Sequence, residues 1–295
     1  MQYKGLLTIL FACWGFSSLF ASNENDSISL STRERSHVFL QFGAGGHFFS
    51  VRDLGTSPLT YSGVLPGGEV GVYIHRKNFI SDINYGLAYG YLKNRNNLAD
   101  LSTKSNTYNN VLNALFAWNL KPSGKSKTRL FAGANLNVIG NFRNNEKFNN
   151  ASYNYEVFAS VGPQFIIERE FSLKRHQLNL SIFRYPFCNR TWRFSVSAYV
   201  PVFTAAIRPS YPLIEDYLGN SSRINLNLKG TQWTSLNTYT NFETKLQLFY
   251  YLHNGNKFRF SYQLYYYDYH PGENRVRGVD GAFMFSFLFS LTNHN

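Results

Sequence analysis

Hydrophobic and polar residues alternate along most of this chain, and the alternation is sustained over long stretches. Between residues 241 and 250, Glu243 and Lys245 occupy odd positions, whereas Phe242 and Leu248 occupy even positions. Successive side chains of a β-strand point to opposite faces of the sheet, so a period of two residues is typical of strands. An α-helix would mix both kinds of residue on every face. The pattern therefore predicts an all-β fold.

Twelve segments carry this pattern. They span residues 37–51, 67–76, 80–93, 107–120, 128–142, 153–168, 174–185, 190–203, 222–230, 238–252, 257–269 and 279–292. Most are about 10 to 15 residues long, whereas strands of soluble domains usually have about 5 or 6 residues. A tilted strand needs roughly 9 to 11 residues to cross a bilayer. The lengths predict a transmembrane antiparallel β-barrel, and a soluble β-sandwich with an aromatic core is the alternative.

The connections between the predicted strands alternate in length. Those at residues 52–66, 94–106 and 143–152 are long, and those at 77–79, 121–127 and 169–173 are short. This rhythm is typical of barrels with both termini on one side of the membrane, which requires an even number of strands. We therefore expect twelve strands. Without segment 222–230, which has the weakest pattern, the count would be eleven and the termini would lie on opposite sides of the membrane. Ten strands is the alternative.

The first residues have the pattern of an export signal. Residues 1–21 combine a lysine, an apolar run and a small final residue before a polar stretch, which predicts a secretory signal peptide. A membrane anchor and lipoprotein processing at Cys13 are the alternatives. We expect residues 22–35 to form a periplasmic N-terminal segment and residues 36–295 to form the barrel. Removal of the signal peptide leaves Cys188 without a partner for an intramolecular disulfide.

The aromatic residues also fit a membrane barrel. Trp192, Tyr250 and the cluster Tyr265–Tyr267 fall near predicted strand ends, where barrels carry aromatic girdles. The last predicted strand has one face formed by Phe283, Phe285, Phe287 and Phe289.

The chain resembles bacterial outer-membrane β-barrel proteins in its alternation, its strand lengths and its loop rhythm. The resemblance is to the class and not to a particular family. The resemblance covers nearly the whole chain after residue 21. It implies a bacterial outer-membrane location and contact with outer-membrane lipids and lipopolysaccharide. It also implies that the barrel-assembly machinery recognises Phe283, Phe285, Phe287 and Phe289 as an assembly signal. The chain departs from the usual pattern because it continues to Asn295 after the last of them.

The chain is basic, with 29 Lys and Arg, 17 Asp and Glu, and a formal net charge of +12. Aromatic residues make up 18% of it, and this apolar bulk excludes intrinsic disorder. A basic excess can indicate nucleic-acid binding, but these basic residues fall in turns and at the predicted membrane edges. Lys93, Arg95, Arg275 and Arg277 lie on the predicted outer side, where anionic lipopolysaccharide would attract them. We expect this lipid partner and no nucleic acid, and the sequence identifies no protein partner.

Eight titratable residues fall at inward positions of the predicted strands. They are His47, Glu69, Glu156, Arg193, Glu243, Lys245, Arg259 and Asp280. Because both signs of charge occur, we expect these lumen-lining candidates to form a network of ion pairs that fills a narrow barrel. A polar lining that sets the selectivity of a channel is the alternative.

The sequence offers little catalytic chemistry. It has no phosphate-binding loop, dinucleotide fingerprint or cysteine cluster, so no cofactor or metal is expected. His47 and Glu69 are predicted to lie side by side, and a His–carboxylate pair can orient a general base. Some barrels of the class that the chain resembles are lipid hydrolases with a His-x-Ser motif on the outer face. That motif is missing here, and Ser50 points to the opposite face from His47.

These observations favour a non-enzymatic barrel that acts as a narrow channel or as a structural or surface-interaction protein. A membrane-embedded lipid hydrolase, either an acyl hydrolase or a deacylase, is one alternative. A barrel subunit of a secretion or assembly complex is another. Residues 205–221 form a turn-rich insertion that we expect to fold against the barrel mouth and limit passage.

Overall fold

The structure is a computed structural model, and it describes most of the chain after residue 36. The described residues are 37–94, 104–121, 127–145, 153–173, 177–180, 183–186, 190–208, 231–252, 254–272 and 274–291. The predicted signal peptide (1–21), the predicted periplasmic segment (22–35), the predicted strand 222–230 and residues 209–221 of the insertion lie outside them. Within the described ranges, no helix is both long and apolar enough to cross a membrane.

The described residues contain fourteen β-strands. They are β1 (His37–Asp53), β2 (Ser57–His75), β3 (Phe79–Asn94), β4 (Lys104–Asn119), β5 (Thr128–Asn144), β6 (Tyr153–Leu173), β7 (Gln177–Leu180), β8 (Phe183–Pro186), β9 (Arg190–Tyr199), β10 (Phe203–Ile207), β11 (Gln232–Thr234), β12 (Tyr239–Tyr251), β13 (Lys257–Tyr269) and β14 (Val276–Ser290).

Ten strand positions close the sheet into a cylinder. Strands β1 to β6 pair antiparallel in chain order, β6 then pairs with β9, and β9 pairs with β12. β12, β13 and β14 continue the order, and β14 pairs with β1 along almost its full length. The predicted antiparallel barrel is confirmed. Its wall has ten positions, which was the alternative strand number, because β10 and β11 are additional short strands that extend β9 and β12.

The predicted wall strand 174–185 is wrong. β6 continues to Leu173 and pairs directly with β9, so that Leu173 lies opposite Arg190. The chain between them forms β7 and β8, which pair with each other in a separate two-stranded sheet. Since β6 and β9 are already hydrogen-bonded edge to edge, this segment has no place in the wall.

The first connection is shorter than predicted. β1 ends at Asp53 and β2 begins at Ser57, so a tight turn replaces the predicted loop 52–66. The turn is closed by the backbone N–H of Thr56, which donates to the carbonyl of Asp53 at 3.2 Å. Both strands therefore extend well beyond the length that a bilayer requires.

The outer face of the barrel is apolar. Exposed side chains on β3 and β4 include Tyr85, Leu87, Tyr89, Tyr91, Leu112, Phe116 and Trp118. A β-sandwich would cover its aromatic residues with a second sheet, but Phe260 on β13 and Phe285 on β14 are 48% and 46% exposed. A closed barrel satisfies its own backbone hydrogen bonds, and an apolar exterior suits lipid. The chain is therefore a transmembrane β-barrel.

The four phenylalanines of the final strand lie on this outer face. Phe283, Phe285 and Phe289 are exposed, and Phe287 is partly exposed. Phe285 also packs against Phe260 of the neighbouring strand, with ring centroids 4.9 Å apart. Their recognition by an assembly machinery stays a prediction.

Candidate functional site

The inward-facing side chains of the barrel can be identified from contacts between strands that are not neighbours in the wall, because such contacts must cross the lumen. Each of the eight residues selected from the sequence is largely buried and has its contacts on this inner side. Glu156, Arg193 and Arg259 are fully buried, Glu243 and Asp280 nearly so, and His47, Glu69 and Lys245 mostly.

Arg259 on β13 occupies the centre of the lumen. Its guanidinium group contacts Glu69 on β2 at 2.9 Å and Asp82 on β3 at 3.1 Å. Ser286 donates to the same Glu69 carboxylate, and Lys245 Nζ lies 3.9 Å from Asp82. Charges removed from water are tolerated only when they are paired and hydrogen-bonded. This central ion cluster therefore connects five strands across the lumen in one defined arrangement.

A second group of ion pairs, the upper ion cluster, lies at the end of the barrel where β1 turns into β2. Arg143 on β5 contacts Asp53 on β1 at 2.8 Å and Glu156 on β6 at 3.0 Å. The hydroxyl of Tyr267 donates to Glu156 at 2.5 Å. Arg208, which follows β10, pairs with Asp53 and so connects this end of β10 with the far side of the mouth.

A third group, the lower ion cluster, lies toward the opposite end. Arg193 on β9 donates to the hydroxyl of Tyr73 at 2.9 Å and lies 3.7 Å from Glu168. Its guanidinium carbon is 4.1 Å from the ring centroid of Phe249, which is a cation–π contact. Glu168 is also hydrogen-bonded to His75 Nε2 at 3.1 Å. Every charged group in this cluster thus has a polar or aromatic partner.

Aromatic side chains fill the lumen on either side of the central ion cluster. In the upper aromatic cluster, Phe158 stacks on Tyr239 at a centroid separation of 4.7 Å and contacts Tyr269 at 5.4 Å. In the lower aromatic cluster, Tyr73 stacks on Phe249 at 5.6 Å. All five rings are buried. The barrel is filled by side chains of its own wall.

The expected position of Tyr265 and Tyr267 in an outer aromatic girdle is wrong. Both side chains are buried and point inward, because they share the parity of Arg259 on β13. Their hydroxyl groups have lumen partners: Tyr265 is hydrogen-bonded to Tyr239 at 2.7 Å, and Tyr267 to Glu156. A buried tyrosine needs such a partner, and strand position alone did not indicate that one was available.

A cavity of about 50 Å³ lies between the central ion cluster and the upper aromatic cluster. Four of its lining residues carry a buried oxygen with no partner among the described residues: Asn109, Asn137, Asn141 and Asp280. The amide groups of Asn137 and Asn141 donate to the carboxylates of Glu243 and Glu156, which fixes their oxygens as free acceptors. The cavity therefore suits species that donate hydrogen bonds or carry positive charge, such as water or a small cation.

His47 pairs with Asp280 and not with Glu69. The distance from His47 Nδ1 to Asp280 Oδ2 is 2.9 Å. Glu69 lies opposite Gly43 on β1, four residues from His47, because the tight first turn changes the register. The predicted His47–Glu69 pair is therefore wrong.

Among the described residues, the His47–Asp280 pair has no third group that would complete a catalytic arrangement. In the part of the chain that the structure describes, no hydroxyl or thiol is hydrogen-bonded to the other ring nitrogen of His47. The same residues contain no group of three His, Cys, Asp or Glu side chains that could hold a metal ion.

Several members of the network were not selected from the sequence. They are Asp53, Asp82, Arg143, Glu168 and Arg208. Asp82 has the same parity as the buried Asn84, and Arg143 the same parity as Asn141, so alternation alone could have identified both. Arg208 follows the end of a strand, and no period applies there.

Comparisons with known proteins give the chain structural neighbours but no family. No protein-family model and no curated protein matches the sequence. The transport unit of the autotransporter AIDA-I from Escherichia coli is 10% identical and matches over 92% of both chains, with a TM-score of 0.41. The outer membrane protease OmpT from Escherichia coli is 7% identical over 90% of this chain and 100% of its own, with a TM-score of 0.41.

A third neighbour is the outer membrane protein OprG from Pseudomonas aeruginosa. It is 8% identical over 87% of this chain and 97% of its own, with a TM-score of 0.34. By its own closed wall and apolar exterior, the present chain is a β-barrel of the bacterial outer-membrane type.

Proposed function

We propose that this chain is a non-enzymatic outer-membrane barrel whose lumen is closed to free diffusion, and that it acts as a structural or surface-interaction protein. The observation that supports this most directly is the filled lumen. The cavity of about 50 Å³ has room for only a few water molecules, and buried aromatic rings lie between it and each end of the barrel.

The obstruction belongs to the wall itself. Phe158 and Tyr239 of the upper aromatic cluster come from β6 and β12, and Tyr73 and Phe249 of the lower one come from β2 and β12. Their rings are held in stacked contacts, and Tyr239 and Tyr73 are also hydrogen-bonded through their hydroxyls. Opening a path would require these contacts to break, in contrast to a channel that opens by displacement of a loop.

Conductance in planar bilayers tests the proposal. We expect the wild-type barrel to give no steady ionic current. Phe158→Ala with Tyr239→Ala should leave the lower aromatic cluster intact and the barrel closed. Adding Tyr73→Ala, Phe249→Ala and Arg259→Ala should remove both aromatic obstructions and the guanidinium group at the centre of the lumen, and should produce current.

Lipid-facing substitutions provide the matched control. Phe165→Ala with Phe285→Ala removes two rings of similar size from the outer face, where they are 55% and 46% exposed, and should leave the barrel closed. Stable conductance steps in the wild-type protein would contradict a closed lumen.

A narrow channel is the second candidate, and one observation favours it. The unpaired oxygens of Asn109, Asn137, Asn141 and Asp280 give the cavity an acceptor lining. If the wild-type barrel conducts, this lining predicts a preference for cations over anions, which the reversal potential in a salt gradient measures.

The hydrolase alternative has a separate readout. Release of fatty acid from lipid micelles by the wild-type protein, abolished by His47→Ala, would show that the His47–Asp280 pair is catalytic and would overturn the non-enzymatic proposal.

A further inference from the structure

We propose that the outer rim of this barrel carries a docking site for the phosphate groups of an outer-leaflet lipid. The site is a basic arc formed by Arg52, Lys93, Lys104, Arg275 and Arg277, on the lipid-facing side of the wall. It rests on the membrane orientation of the barrel and is independent of whether the lumen conducts.

The strand register brings these residues to the same end of the wall, on neighbouring strands. Lys93 on β3 lies directly opposite Lys104 on β4, and Arg52 on β1 lies directly opposite Arg277 on β14. β2 joins the two pairs, with Thr60 opposite Arg52 and Ser62 opposite Lys93. The basic arc therefore runs without a break across β14, β1, β2, β3 and β4, at the end of the barrel away from both of its termini.

The side chains of the basic arc point outward. Arg52, Lys93 and Lys104 are exposed, and their neighbours in sequence, Val51 and Leu92, are buried in the lumen. Like charges directly opposite each other on neighbouring strands destabilise a sheet unless something neutralises them. Among the described residues, neither Lys93 nor Lys104 has an acidic partner. An anion between them would remove this repulsion.

Among the residues that the structure describes, the carboxylate partner of Arg275 and Arg277 is Asp268, so two positive charges share one negative charge. Asp268 accepts hydrogen bonds from Arg275 at 2.8 and 2.5 Å and from Arg277 at 3.1 Å. These bonds raise the pKa of Arg275, which lies in the connection before β14. The side chains of the two arginines remain 43% and 46% exposed. Asp268 orients them, and oriented guanidinium groups bind phosphate in a bidentate manner.

The height of the basic arc fits a lipid headgroup. Directly below Lys93 and Lys104 on the same face, Tyr91, Tyr89 and Tyr108 are 54%, 39% and 45% exposed, and the last two rings are 4.5 Å apart. Exposed tyrosines of this kind mark the membrane interface. The lysines are two residues further along the strands, about 7 Å beyond Tyr91. A phosphate at that level on the lipid side belongs to the headgroup of a lipid in the outer leaflet.

Native mass spectrometry of the full-length barrel with defined lipids tests the site. The probe is diphosphoryl lipid A, compared with its monophosphoryl form and a fully dephosphorylated form. We expect the wild-type barrel to bind lipids in the order of their phosphate number. Lys93→Gln with Lys104→Gln, or Arg52→Gln with Arg277→Gln, should weaken diphosphoryl lipid A binding by about tenfold or more.

The matched control removes the same charge from the opposite rim. Lys121→Gln with Lys127→Gln alters two exposed lysines in the β4–β5 connection and should change binding less than about twofold, the part due to net charge alone. Equal weakening by the control and arc variants, equal binding of dephosphorylated lipid A, or displacement by inorganic phosphate at the concentration of the lipid would each overturn the proposal. Unchanged circular dichroism of every variant shows that the barrel is intact.

Discussion

At the scale of single residues, the structure of the lumen depends on buried charged groups. Ion pairs between these groups replace their contacts with water. Arg259 is the clearest case, because it is fully buried and holds two carboxylates, those of Glu69 and Asp82. Removing one member of a buried ion pair leaves its partner charged and unsolvated, which costs about 3–5 kcal/mol. We expect Arg259→Ala to lower the free energy of unfolding by at least this amount, measured by urea titration in phosphatidylcholine vesicles.

The control for this substitution is an arginine that also pairs with a carboxylate but whose own side chain is about half exposed to water. Arg277 contacts Asp268 at 3.1 Å but is 46% exposed, and exposed ion pairs contribute only about 0–1 kcal/mol. Arg277→Ala in the same lipid-A-free vesicles should therefore change stability by less than about 1 kcal/mol. If Arg259→Ala is no more destabilising than Arg277→Ala, the central ion cluster does not stabilise the barrel.

The sequence predicted which residues face the lumen better than it predicted their partners. Alternation identifies the face of a residue such as Glu69 without any knowledge of the neighbouring strand. The partner depends on register, and register depends on the length of a turn. A turn of three residues in place of a long loop moved Glu69 away from His47 and left His47 with Asp280.

At the scale of strands, one error arose where proline and glycine occur inside a strand. Residues 57–66, which include Pro58, Gly63 and Pro66, were predicted to be part of a loop, yet they belong to β2. Pro66 is tolerated because the β2–β3 pairing passes from Ser62 to Gly67 without an intervening pair, so no partner needs its N–H. Such a gap in pairing is a property of two strands, and one segment of sequence does not show it.

The packing of neighbouring strands explains why one position in the wall is a glycine. A Cβ atom on Gly133 of β5 would lie 1.9 Å from the backbone oxygen of Phe116 on β4, so the two strands could not keep their separation. We expect Gly133→Ala to destabilise the barrel by about 1–3 kcal/mol or more, since overpacking forces the backbone to move. The midpoint of urea unfolding measures the effect.

Gly86 on β3 is the matched control, because a Cβ atom there would meet nothing closer than 3.8 Å. Gly86→Ala should leave the midpoint nearly unchanged. Equal shifts for the two variants would mean that the loss of glycine itself, and not the close approach of β4 and β5, accounts for the effect.

At the scale of the whole molecule, closure determines both the strand number and the size of the lumen. A twelve-position wall would enclose a wider space, which these side chains would not fill. The prediction of twelve depended on segment 222–230, which lies outside the described residues, and on segment 174–185, within which β7 and the start of β8 pair with each other and not with the wall. An alternating pattern predicts that a segment forms a strand, but it does not identify the partner strand. The partner depends on which strand edges are still unpaired once the wall has closed.

Cross-linking distinguishes the two walls directly. In the ten-position wall, Phe165 on β6 lies opposite Ala198 on β9, at a separation that a disulfide can span. If segment 174–185 lay between them, the separation would be about twice the 4.8 Å spacing of adjacent strands, too far for a bond.

With Cys13 and Cys188 replaced by serine, Phe165→Cys with Ala198→Cys should oxidise to an internal disulfide, visible as a shifted band on a non-reducing gel. Phe165→Cys with Val196→Cys, which is two residues out of register, should stay reduced under the same oxidant. Failure of the first pair, or equal cross-linking of both, would show that β6 and β9 are not neighbours in this register, and the narrow, filled lumen would then lose its basis.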